Sequence, residues 1–379
     1  MTTSSKYQTI DIQAGETLQS AKSKRLQISS KIIVRIQLPE GTWAEELVFP
    51  PNTIIAGQGK KTVVKRVSFQ GGAMGTIGVE TLTLQGTLSN EAIRVVGAAD
   101  LVFVRNCYIT GGAKNITIQG AQPSGQPEQR IKRVLIENNV LLDAAGAGHP
   151  AGIYLSKVDW HEIRRNFVHR SGHDKADIFC HGMYVQDDCR GGIIEENVVV
   201  DACSHGVQQR NGSGPTGRLH RNLVVGCPCG IFSSGPLGFN VTENVVIESD
   251  DINSTTPRGF GIEVFPANGT IVSNIVGNLT GRTPRSIFTK TTSTYPPAEV
   301  SIAIERNLTD YPMNLTPAVD VTINASNNIE TGHIIPTLAD YAQSRGMTRS
   351  ELIEAWRDGL SITGGETSWW FVNIKPKTV

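Results

Sequence analysis

An all-β solenoid of stacked coils is the fold this sequence predicts, and two periodic elements predict it. An asparagine recurs just ahead of apolar residues, as in Arg105-Asn106-Cys107-Tyr108-Ile109, Arg165-Asn166-Phe167-Val168 and Arg306-Asn307-Leu308. Its members are Asn106, Asn139, Asn166, Asn197, Asn222, Asn244, Asn274 and Asn307, by subtraction 33, 27, 31, 25, 22, 30 and 33 residues apart. In step with it runs a glycine-led element: Gly152-Ile153-Tyr154-Leu155, Gly182-Met183-Tyr184-Val185, Gly206-Val207-Gln208-Gln209, Gly230-Ile231-Phe232-Ser233 and Gly261-Ile262-Glu263-Val264. Self-similarity in this length range signals a stacked architecture.

Each unit holds two or three short runs that alternate apolar and polar over a few residues, which is a strand period. No helix-length apolar pattern separates them, which argues against βαβ units, and the unequal unit lengths argue against a propeller. Coils of this kind stack at about 4.8 Å. The asparagine then has two expected uses. It tolerates a left-handed turn, and its amide can bond the asparagine of the next coil. Asn240, Asn307 and Asn314 also sit in glycosylation-type triplets, but a buried ladder amide is inaccessible to that chemistry.

The pattern resembles the right-handed single-stranded parallel β-helix of the pectate-lyase-like superfamily, over roughly residues 40 to 330. The segment Leu38-Pro39-Glu40-Gly41-Thr42-Trp43 is similar to the lead-in to the first turn of pectin-active members. The resemblance implies a carbohydrate ligand. It covers lyases and epimerases as well as phage-type spikes.

Three regions are expected along the chain: an N-terminal cap over 1–35, the parallel β-helix over 36–332, and a C-terminal helical cap or oligomer contact over 333–379. In the first, Thr9 to Ile12 reads as a strand and Thr17 to Ser23 as a helix that covers an otherwise open strand edge. The last region carries Thr337-Leu-Ala-Asp340 and Thr348-Arg-Ser-Glu351, which read as capping boxes. Its Trp369-Trp370-Phe371 needs a partner surface. Residues 119–130, 169–181 and 281–299 read as loops that wall a groove.

Lys plus Arg and Asp plus Glu are both 35, so net charge is zero. Nucleic acid therefore has no electrostatic hold on the chain. No run is long enough to span a membrane, and residues 1–6 lack the apolar core of a signal peptide. An extracellular or virion-associated protein without a signal in this chain is the expectation. Cys203 and Cys227 align on neighbouring coils and read as stacked thiols, though that spacing also permits a disulfide.

Chemistry is expected on the outward face of the glycine-led strands. One column is Tyr154, Tyr184, Gln208, Phe232 and Glu263; two residues on comes Ser156, Gln186, Arg210, Ser234 and Phe265. Tyr154, Gln186, Gln208, Phe232 and Glu263 are the candidate substrate contacts, since rings stack on sugars and amides bond hydroxyls. His181 and His205 both precede a strand glycine and should stack. With His173, Lys175, Tyr184 and Arg210 they form the candidate catalytic set. Both histidines could equally be hydrogen-bonded rings of a turn ladder, and the columns an ordinary solvated face.

Such a set suits β-elimination or epimerisation of a uronate. There a base takes the proton beside the carboxylate, and a cation or donor holds the charge that builds. The run His173-Asp174-Lys175 is loosely similar to the Asp-Pro-His motif of alginate epimerases, but lacks its order and proline, so no role transfers. Glycoside hydrolysis would need two facing carboxyls, for which Asp177, Asp187, Asp188 and Glu263 are available without a marked pair. No metal site is marked. Asp174, Asp187 and Asp188 could hold Ca2+ but carry no loop signature. The alternative from another class is a non-catalytic, glycan-binding or structural spike, which in such folds is a homotrimer.

Overall fold

The computed structural model describes residues 7–70, 75–146, 148–173, 178–211, 217–234, 238–251, 258–265, 268–289, 300–315, 321–330, 333–358 and 366–376. The chain winds as a right-handed parallel β-helix with three strands per coil. One coil runs Ala99–Arg105, Tyr108–Gly111 and Lys114–Gln119; the next runs Ile131–Glu137, Val140–Leu142 and Ala151–Ser156. The coil strands pair in parallel with their counterparts one coil on, so three long sheets form. We call the sheet that includes Ala151–Ser156 the first, that of Ile131–Glu137 the second, and that of Val140–Leu142 the third. Ile, Val and Leu from all three fill one continuous core.

The asparagines form the expected ladder, shifted by one residue at its start. From Asn139 to Asn307, each donates its main-chain N–H and its Nδ2–H to the Oδ1 of the next, at 2.9–3.2 Å. Asn328 closes the series, a member the sequence did not show. Asn106 is not in it. Cys107 takes that place and donates its N–H to Asn139 Oδ1 at 2.9 Å. Nor does the ladder asparagine adopt the left-handed turn. The residue before it does: Asn138, Arg165, Glu196, Arg221, Glu243, Ser273, Arg306 and Asn327 have φ between +51° and +57°. Left-handed backbone costs about 1–2 kcal/mol per non-glycine residue, and the buried amide bonds beside it offset that cost.

The strand glycines break the alternation. Counted from Tyr154 and its column they would face out, but a Cβ on Gly152, Gly182, Gly206, Gly230 or Gly261 would lie within 2.6 Å of the Cγ1 of Val168, Val199, Val224, Val246 or Val276. They face in, at the corner where the first sheet meets the third, and only a hydrogen fits there. Glycine and its successor therefore both turn inward, and the residue before the glycine is thrown outward.

At the N-terminus, Leu18–Leu26 is a helix whose N-cap Thr17 accepts from Ser20 N–H, and Ile12, Leu18 and Ala21 join the core of the first coil. The C-terminal capping boxes are present and open Leu338–Ser344 and Arg349–Arg357. These helices do not lie over the last coil. They fold back along the third sheet, whose outward Phe167, Val198, Val200, Leu223, Val225 and Val245 pack against Leu338, Tyr341, Leu352, Ile353 and Trp356. Trp370 is fully buried there and donates Nε1–H to Pro336 O. Arg357 reaches Asp143 and His169, and Arg349 reaches Asp201 and Glu248. The three-residue strands of the third sheet present an apolar outer face, so an amphipathic segment can bury it.

The expected 281–299 loop contains the strand Arg285–Thr289, which extends the first sheet; residues 290–299 lie outside the described residues. All six cysteines are buried and none forms a disulfide, so Cys203 and Cys227 are thiols.

Candidate functional site

Strand register sets the outer face of the first sheet. Tyr154 pairs with Tyr184, Tyr184 with Gln208, Gln208 with Phe232 and Phe232 with Glu263, as the repeat predicts. Before each glycine, the outward-thrown residue forms a further column of Ala151, His181, His205 and Cys229. Two clefts open on this face and share Phe179 and Tyr184. One, of about 370 Å3, is lined by Lys114, Thr117, His149, Tyr154 and Gln186 among others; the other, of about 220 Å3, by His181, His205, Gln208, Arg210, Phe232, Arg258, Glu263 and Phe265. Together they make one groove along the stack axis. Phe179, 53% exposed and packed on His149, stands at its wall.

The histidine pair has a definite proton arrangement. Arg258 Nη1 lies 3.1 Å from His205 Nε2, and a guanidinium only donates. His205 Nε2 is therefore the acceptor, and the ring is neutral with its proton on Nδ1. That nitrogen is 3.1 Å from Ser204 Oγ and 3.2 Å from His181 Nδ1. Ser204 Oγ donates to Ile178 O at 2.7 Å, so it accepts from His205. The single Nδ1 hydrogen of His205 is shared between Ser204 Oγ and His181 Nδ1. His181 consequently carries its proton on Nε2. The rings meet edge to face at 4.9 Å, and Tyr184 meets His181 at the same centroid distance.

Beyond this pair, Tyr154 donates to Gln186, and burial pushes its phenol up to about 12, which favours the neutral phenol. Phe232 packs edge to face against both His205 and Phe265. Glu263 is 4% exposed and accepts a contact from Cys229 Sγ at 3.7 Å. Burial pushes the Cys229 thiol well up, and the Glu263 charge adds to the effect.

Six of the candidate residues, His181, Tyr184, His205, Gln208, Arg210 and Glu263, thus share one cleft with Phe232, while Tyr154 and Gln186 line the adjoining one. His173 is elsewhere. It follows the third-sheet strand Phe167–His169 and lies near Asp201; burial pushes that carboxyl up, but a bond from His169 and the charges of Arg349, His169 and His173 outweigh it and hold the carboxyl low. Lys175, Asp174 and Asp177 fall outside the described residues, as does the side chain of Asp187. Asp188 is committed to structure: Ser156 Oγ–H and Lys157 N–H both donate to it at 2.8 Å. Arg258 and Cys229 were missed. Arg258 stands in a stretch of sequence with no motif. Cys229 became legible only once the column before the glycines was seen to face out.

No protein-family model and no curated protein matches this chain. Its fold class, the right-handed parallel β-helix, is shared with solved structures. The A-module of the Azotobacter vinelandii mannuronan C-5 epimerase AlgE6 is similar at a TM-score of 0.53 and 13% identity, over 78% of this chain and 90% of that one. A mannuronic acid specific polysaccharide family 6 lyase from human gut microbiota gives a TM-score of 0.47 and 14% identity, over 84% and 82%. At these identities the likeness is one of fold. Among the described residues no helix is long and apolar enough to cross a membrane.

Proposed function

We propose that the first-sheet groove binds an acidic polysaccharide and that the cleft at His181, Tyr184 and Arg210 processes it by β-elimination or epimerisation beside a uronate carboxylate. One observation carries this reading. Two guanidiniums, Arg210 and Arg258, share a cleft with a phenol and a wired histidine pair. That combination supplies what the chemistry needs: cations to hold a carboxylate as charge builds on it, and groups that move a proton. His181, with its proton on Nε2, is the donor. Tyr184, after its phenolic proton has passed to solvent, takes the proton as a phenolate. Arg210 holds the carboxylate, and Arg258 keeps His205 in the tautomer that fixes His181. Lys114, Tyr154 and Gln186 extend the site along the polymer. The similarity of fold to an alginate-modifying module supports the substrate class.

Hydrolysis is less well supported. Among the described residues the two clefts hold one carboxylate each, Glu91 and Glu263, and Glu263 is engaged by Cys229. The proposal places the protein outside the cell or on a particle surface, where such polymers lie.

The test is incubation with acidic and neutral polysaccharides, following near-ultraviolet absorbance of a new sugar double bond together with reducing ends. Rising absorbance supports elimination. Reducing ends alone point to hydrolysis. Binding with silence in both assays, in a homotrimer, points to a spike that recognises a glycan without turning it over.

A further inference from the structure

The column before the glycines and the Tyr154 column together place an imidazole, a thiol and a carboxylate around one point. His205 and Cys229 are register partners on adjacent coils, and Glu263 stands one coil further on, three residues after Phe260, the partner of Cys229. All three are buried, and one ligand atom from each lies within 4.8 Å of the others. Cys229 Sγ and Glu263 Oε2 are already 3.7 Å apart. Ligands of a tetrahedral zinc ion stand about 3.5 Å from one another, so the widest separation must close by only about 1 Å.

We propose that His205, Cys229 and Glu263 form a binding site for a zinc-class divalent ion with one open position. Three features support it. The donor set of one nitrogen, one sulfur and one oxygen suits a borderline-soft ion and does not suit calcium or magnesium. His205 and Glu263 line the cleft, so a fourth position opens on it. In the same cleft the Oε1 of Gln208, a residue 8% exposed, has no hydrogen-bond partner among the described residues. His205 Nε2 already meets a cation, the Arg258 guanidinium at 3.1 Å. Loading requires His205 to give up either that contact or its Nδ1 contacts to Ser204 and His181. Binding forms the metal–sulfur bond and releases the Cys229 proton to solvent, because only the thiolate ligates. This site does not depend on the polysaccharide reading and is tested without any sugar.

The experiment is titration of the full chain with Co2+ and then Zn2+, read by absorbance and calorimetry. One equivalent of Co2+ should give an intense near-ultraviolet thiolate band with tetrahedral visible bands, and Zn2+ should displace it. Cys229→Ser should abolish the thiolate band. Glu263→Gln should keep the band and weaken binding by at least about tenfold. Cys227→Ser, a neighbouring buried thiol, should leave both unchanged. Circular dichroism on each variant separates loss of a ligand from loss of fold. No bound Co2+, or a thiolate band that survives in folded Cys229→Ser, overturns the proposal.

Discussion

Asn197 donates both its main-chain N–H and its Nδ2–H to the Oδ1 of Asn222, at 3.2 and 3.0 Å inside the turn. Asn222 repeats the pattern to Asn244 and sends its own Nδ2–H back to Ile194 O as well. Truncating Asn222 to alanine therefore orphans several buried groups at once. An unsatisfied buried group costs about 1–3 kcal/mol. Asn222→Ala should destabilise the protein by roughly 2–5 kcal/mol in denaturant unfolding. Asn106→Ala, outside the ladder, should cost far less.

The inward glycines give a second prediction. A Cβ at Gly206 would lie 2.3 Å from Val224 Cγ1, 2.9 Å from Gly230 O and 3.2 Å from Cys227 Sγ. Overpacking of a well-filled core costs about 1–3 kcal/mol. Gly206→Ala should lower the unfolding midpoint accordingly. Because it moves the strand start, it should also displace His205 from His181, visible as a changed imidazole resonance in nuclear magnetic resonance spectra.

His161 sits fully buried inside the coil, 3.4 Å from Gln209, and burial pushes its imidazole down from 6.5 to about 4. The unfolded chain thus binds a proton that the folded protein refuses between these two values. His161 contributes full stability above about pH 6.5 and loses about 3 kcal/mol of it as pH falls to about 4, after which the loss stops. Urea unfolding at neutral and mildly acidic pH should show this slope in the wild type and a shallower one in His161→Gln.

Much of this was legible in the chain. Tyr154, Tyr184, Gln208, Phe232 and Glu263 fall on one column because strand spacing repeats with the glycine, and periodicity alone carries that information. What the sequence hid lies where the alternation breaks. The double inward turn at the glycine placed Cys229 beside His205 on the outer face. At Cys107 a different side chain took the ladder place, so the eye followed Asn106 instead. The C-terminal helices showed their caps in the sequence, but which sheet they cover is set by the apolar outer face of strands only three residues long.

Within the cleft, Tyr184→Phe should retain polymer binding and lower turnover by about a hundredfold or more, the usual contribution of a positioned proton-transfer group. Arg210→Ala should lower turnover and weaken binding of acidic polymers, with little effect on neutral ones. Tyr154→Ala should weaken binding while turnover of saturating polymer stays near the wild-type rate. Steady-state rates alongside affinity electrophoresis separate these three effects.

Elimination and epimerisation share one event, removal of the proton on the carbon beside the uronate carboxylate. The most direct test is proton nuclear magnetic resonance of acidic polysaccharides incubated with the protein in deuterium oxide. Loss of that proton signal, or an unsaturated end in its place, is the predicted result, and Tyr184→Phe should suppress it. A polymer that binds the groove yet keeps the proton through prolonged incubation would contradict the account and leave a recognition surface in its place.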